Sequence, residues 1–181
     1  TKKQKNESMS LLMIEPPLGM KAPVAWLPAG LISWYGVGGL PITLVTAWVA
    51  LVGGERPRLR TAWHGRHESL SRFWAGADFV LNMPHESELV KIREVMSQGR
   101  LCLNAELDLG YACVPGVAAV APRLLGCAVQ IECVGGQLIN ACFDTDLCGD
   151  VVRVHRENVI IDPVDIPDLC AIHPLRPLGH S

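Results

Sequence analysis

The sequence predicts a mainly β protein closed into a barrel, and three observations carry that expectation. Val, Leu and Ile dominate an apolar fraction of 49%, while aromatic residues make up only 6%, a mixture that suits pleated, half-buried surfaces. Glycine and proline cut the chain into many short apolar runs, each of a length and setting that reads as a strand bounded by turns. Only one segment of any length repeats its apolar residues with helical spacing. Many short strands with one or two helices favour a closed barrel over a layered α/β sheet.

Taken in order, residues 1–20 read as a tail, polar and basic over its first eight positions. Residues 23–33 read as a strand, 34–39 as a glycine-rich turn, and 42–52, rich in β-branched residues, as a returning strand. After the turn at 53–57, residues 58–63 alternate charged and apolar, the mark of a half-exposed strand. Residues 67–75 give one or two helical turns ending at Gly76, and 78–83 give a strand closed by Pro84. Residues 87–96 are the main helix: Ser87 can cap it, and Leu89, Ile92 and Met96 (or Val95) fall on one face. The stretch 97–123 is interrupted by Gly and Pro and has no clear assignment. Residues 126–134, 137–143 and 147–155 read as three more strands, with Gly135 and Gly136 as a tight connection and 159–161 extending the last. The single domain thus spans 21–162, and 163–181 forms a proline-rich arm of the kind that lies across another surface.

Charge and cysteine content exclude several function classes. The net charge of −2 argues against general nucleic-acid binding, yet residues 1–100 hold twelve Lys and Arg against eight Asp and Glu. A local anion site in the first half is compatible with that asymmetry. The seven cysteines are odd in number and lack a Cys-x-x-Cys pair, so no zinc ribbon or thioredoxin-like site is indicated and no metal is expected. Several lie in apolar runs and read as buried, reduced thiols of a cytoplasmic protein. Residues 26–54 carry no charge, but prolines and glycines divide them into pieces too short to span a bilayer, and no secretory leader is legible. His85, His155, His173 and His180 show no ligand spacing. Glu132 and Asp150 could form a carboxylate pair, but salt links are the simpler reading.

The order of motifs resembles the flavin reductase-like family, the FMN-binding split β-barrels that include flavoredoxin. Residues 39–48 read Gly-Leu-Pro-Ile-Thr-Leu-Val-Thr-Ala-Trp and resemble the family's G-x-P-N-x-x-T-x-A-W strand. Arg56 and Pro57 stand where the family has Pro-Pro, and residues 64–69, His-Gly-Arg-His-Glu-Ser, resemble its R-x-x-(T/H)-x-S segment. Residues 79–84 match F-V-x-N-x-P, while Ile131, Glu132, Cys133 and then 149–152, Gly-Asp-Val-Val, resemble the L-E-C and G-E-V-V strands. Ile42 replaces the family's asparagine, His64 its basic residue, and Asp144 or Asp146 a frequent histidine.

The resemblance implies a six-stranded antiparallel Greek-key split barrel with one main helix, a homodimer, and FMN as cofactor. It places the flavin ring against Thr46, Ala47 and Trp48, whose main-chain donors suit negative charge on a reduced ring. It places the phosphate near His64, Arg66, His67 and Ser69, where donors meet a helix start. Asn82, an amide inside an apolar strand, must find partners and either ties down a loop or touches the flavin. Electrons would come from NAD(P)H or a redox protein, the cofactor would carry the chemistry, and no side chain acts as acid or base. Three readings stay open: an FMN-dependent NAD(P)H oxidoreductase or flavoredoxin-like carrier, a passive flavin-binding module, and a degenerate barrel with a structural or regulatory role.

Overall fold

In the computed structural model, residues 24–27, 30–46, 48–52, 56–64, 68–98, 102–140, 144–156 and 159–161 are described. Their main feature is a ten-stranded sheet in which every pairing is antiparallel. The strands are β1 (Val24–Leu27), β2 (Leu31–Tyr35), β3 (Pro41–Val45), β4 (Trp48–Val52), β5 (Arg58–His64), β6 (Phe79–Met83) and β7 (Cys102–Leu103), followed by β10 (Val129–Asn140), β11 (Asp144–Arg156) and β12 (Val159–Ile161). A separate hairpin pairs β8 (Cys113–Pro115) with β9 (Pro122–Leu124). The sheet runs β1-β4-β5-β11-β10-β6-β2-β3-β7, with β12 beside β11.

The expected class, mainly β with few helices, is found. The expected closure into a barrel is not found among the described residues, where the hydrogen-bonded path ends at β1 and β7 and does not close. Two expected single strands also divide. The 23–33 run splits into β1, which pairs with β4, and β2, which pairs with β3 and β6. The 42–52 run splits after Val45, so that β3 joins β2 while β4 joins β1 and β5. Trp34, expected in a turn, is a fully buried strand residue. Gly135 and Gly136 do not connect two strands but lie at an irregularity within β10, where the register to β11 shifts between Val134 and Gln137. Glycine is required at 136 because a Cβ there would stand 2.5 Å from the Ala77 carbonyl and 2.8 Å from the Phe73 ring.

Strand periodicity explains the two-sided burial. Ile32 and Trp34 of β2, Phe79 and Leu81 of β6, and Ile131 and Cys133 of β10 face the principal core, with Leu59, Trp63 and Leu147. The alternate residues of the same strands face the other way and are buried too. Leu31 and Val45 meet the main helix, α1 (Leu89–Ser97), through Ile92 and Val95 in a second cluster with Tyr111 and Leu124. Val80 packs under the β8–β9 hairpin with Ala119 and Ala121. Coverage on both faces is why these strands read as near-continuous apolar runs.

Candidate functional site

The described residues expected to hold a cofactor fall into two groups, one at the β3–β4 junction and one in the 3₁₀ segment after β5, with Asn82 on β6. Thr46 follows β3 directly; its N–H donates to the Gly30 carbonyl at 2.9 Å and its hydroxyl oxygen accepts the Gly30 N–H at 2.8 Å. The Trp63 indole N–H donates to the Val45 carbonyl at 2.8 Å, so β5 braces the chain where it leaves β3. Trp48 opens β4 opposite Ala62, and His64 ends β5 opposite Asp144 of β11. Val45 and Trp48 and the last residues of β5 therefore meet at one end of the sheet. Ala47, Arg66 and His67 lie outside the described residues, as do the side chains of Trp48 and His64.

Ser69 belongs to the second group, in the 3₁₀ segment Glu68–Ala75. Leu70 and Phe73 are three apart, one turn of a 3₁₀ helix, and both enter the principal core. Phe73 sits between two aromatic partners, with ring centroids 5.2 Å from Trp34 and 5.8 Å, edge-on, from Phe79. These contacts fix the segment against the sheet and with it Ser69, whose buried hydroxyl oxygen has no hydrogen-bond partner among the described residues, as is also true of Trp34 Nε1 and the Thr43 and Tyr111 hydroxyls. A buried hydroxyl left unpaired costs on the order of 1–3 kcal/mol, so its position fits a bound acceptor such as a phosphate oxygen. This is the observation on which a phosphate-bearing cofactor suits the residues present.

Asn82 is fully buried, and its amide is engaged by the protein. Nδ2 donates toward the Ser33 hydroxyl at 2.8 Å and the Leu31 and Val80 carbonyls at 3.2 Å, while Oδ1 accepts the Leu124 N–H at 2.9 Å. It ties β9 to the sheet. Neighbouring side chains do the same: Ser33 donates to the Pro122 carbonyl, and Gln130 donates to the Leu124 carbonyl at 2.6 Å.

Glu132, weighed from sequence as half of a carboxylate pair with Asp150, forms no such pair. It accepts from the N–H groups of Val117, Ala118 and Ala119 at 3.0, 2.7 and 2.7 Å, and it also bonds His155. Asp150 binds Arg58 at 2.9 Å, and Asp146 forms an ion pair with Arg60. Burial pushes the thiols of Cys127, Cys133, Cys148 and Cys113 upward, that of Cys127 to about 12. None of these four thiols is activated, and no group of three or more His, Cys, Asp or Glu among the described residues suits a metal ion. No helix among the described residues is long and apolar enough to cross a membrane.

Sequence reasoning missed Trp63 and Gly30, which brace the β3–β4 junction. Trp63 carried a signal: an indole in a strand whose inward face is apolar needs an acceptor.

The fold is similar to that of solved flavoredoxins. No protein-family model and no curated protein matches the chain. Among solved structures, it is similar to flavoredoxin of Desulfovibrio vulgaris (Miyazaki F), at 17% identity and TM-score 0.58, over 81% of this chain and 78% of that one. Flavoredoxin from Methanosarcina acetivorans gives 17% and 0.57, over 80% of this chain and 76% of that one. Nitrilotriacetate monooxygenase component B from Bacillus cereus gives 17% and 0.60, over 83% and 84%. At these identities the likeness is one of fold.

Proposed function

We propose that the chain is a flavin-dependent oxidoreductase that holds FMN at the 46–48 and 64–69 segments and passes electrons from NAD(P)H or a redox protein. The observation that carries this reading is the buried, unpartnered hydroxyl of Ser69, at the position where the resemblance calls for a phosphate ligand, within a fold shared with flavoredoxins and flavin reductases. Bound flavin supplies the hydride and electron chemistry itself. The protein's part is to bind and orient: Ser69 toward the phosphate, and the main chain after Thr46, braced by Trp63 and Gly30, toward the ring. Arg66 and His67 complete the anion site. The protein acts as a cytoplasmic homodimer in this proposal.

A second reading, a barrel without flavin, is favoured by the internal engagement of Thr46 and Asn82 and by Ile42 in place of asparagine. The absorption spectrum of the purified protein, followed by titration with FMN, decides between them. Flavin absorbance as isolated or after saturation supports the first reading, and bleaching by NADH or NADPH assigns the reductase activity. Colourless protein that binds no FMN rejects it.

A further inference from the structure

The turn between β8 and β9 carries the most concentrated polar contact among the described residues. Three consecutive N–H groups, of Val117, Ala118 and Ala119, converge on the carboxylate of Glu132, which is fully buried. Successive amides arranged in this way form a concavity suited to an anion, and here the anion is a side chain of the underlying sheet. The other titratable or charged groups around the carboxyl are His155 of β11, bonded to Oε1, Arg123 of β9, whose Nε is 3.8 Å away, and Arg153, which stands opposite Glu132 in the β10–β11 register. From β6, Val80 and Asn82 occupy that face and do not titrate. Asp78, just before β6, is engaged by the N–H groups of Val120 and Gly135. The turn is also shaped from its own side: a Cβ on Gly116 would stand 2.4 Å from the Ala119 carbonyl, 2.8 Å from that of Ala121 and 3.1 Å from Glu132 Oε2.

Apolar contact alone holds the turn weakly. Ala119 and Ala121 are its buried apolar residues, packed on Val80 and Val134, while Val117 and Val120 are 58% and 78% exposed. Two alanines bury little area, so the attachment rests on hydrogen bonds: three N–H groups on the Glu132 carboxylate and one, of Val120, on Asp78.

We propose that residues 116–121 form a flap latched to the sheet by the Glu132 carboxylate, and that loss of that charge opens the flap while the sheet and the β8–β9 strands that Asn82, Ser33 and Gln130 tie to it stay folded. Burial by itself raises the Glu132 pKa, but the amides of Val117, Ala119 and Ala118 and the His155 ring more than offset this and hold it below the ordinary carboxylate range. The latch is therefore closed above the unfolded-state pKa and opens as pH falls through the lower folded-state value.

Amide hydrogen exchange tests the proposal in the full chain. In Glu132→Gln at neutral pH, protection of amides 116–121 falls roughly tenfold or more, the factor carried by one charge-assisted hydrogen bond, with β10 and β11 amides unchanged. Gly116→Ala, which disturbs the turn and leaves the carboxylate intact, gives the same local pattern. In the wild-type chain, the amide proton shifts of Val117, Ala118 and Ala119 titrate together, with a midpoint below the ordinary glutamate value. Unchanged protection of the turn in Glu132→Gln, or three amides that do not share one acidic midpoint, overturns the latch. Loss of protection across β10 and β11 along with the turn overturns the flap as a separable unit.

Discussion

Replacing Asn82 by alanine separates its two possible roles, because its contacts can be counted. The side chain donates to the Ser33 hydroxyl and to two strand carbonyls and accepts from Leu124, all at a fully buried position. Truncation leaves the Leu124 N–H without its acceptor, at about 1–3 kcal/mol, and removes the donors to Ser33 and the carbonyls for about 1 kcal/mol more. A loss of roughly 3 kcal/mol lowers the melting temperature of a chain this size by about 10 °C. Asn82→Asp fares no better, since a carboxylate still accepts from Leu124 but faces the Leu31 and Val80 carbonyls without a proton to donate. Urea denaturation of the flavin-free and FMN-saturated proteins measures the effect. Equal losses in both identify Asn82 as the tie between β6 and β9. A change under about 0.5 kcal/mol without flavin, joined to weakened FMN binding, refutes the reasoning and moves Asn82 to the cofactor.

Ser69→Ala leaves the flavin-free protein as stable or slightly more so, because it removes an unpaired buried hydroxyl, while FMN affinity falls about tenfold; thermal melts and flavin titration check the two halves. Trp63→Phe keeps the ring's packing but strands the Val45 carbonyl, lowering stability by about 1 kcal/mol in denaturant. Wild-type stability falls as pH drops through the depressed Glu132 pKa, a loss that Glu132→Gln lacks because its contribution is already gone; acid unfolding curves of the two compare directly. Among the described cysteines, alkylation at mildly alkaline pH modifies exposed Cys102 first and Cys113 more slowly. Cys127, Cys133 and Cys148 react only after unfolding, as mapped by mass spectrometry.

Much of the local structure was legible in the chain. The apolar run ended by Pro84 gives β6, the charged alternation from Arg58 gives the start of β5, and Ile92 and Val95 mark the buried side of α1. Each rests on a period of two or 3.6 residues and on nearby Gly or Pro, so neighbours along the chain suffice to establish it. Of the candidate site, the need of Asn82 for partners was legible.

What tertiary structure alone decided are the partners. Nothing local says that the 42–52 run must break after Val45, since both halves are apolar and β-branched; the break arises because β3 and β4 join opposite reaches of one sheet path. The acceptor for the Leu124 N–H lies 42 residues away in sequence, and the anion held by 117–119 lies 13 to 15 residues away on another strand. A side chain's periodicity reports which face it takes, whereas the partner that satisfies its polar atoms depends on how strands distant in sequence are laid side by side.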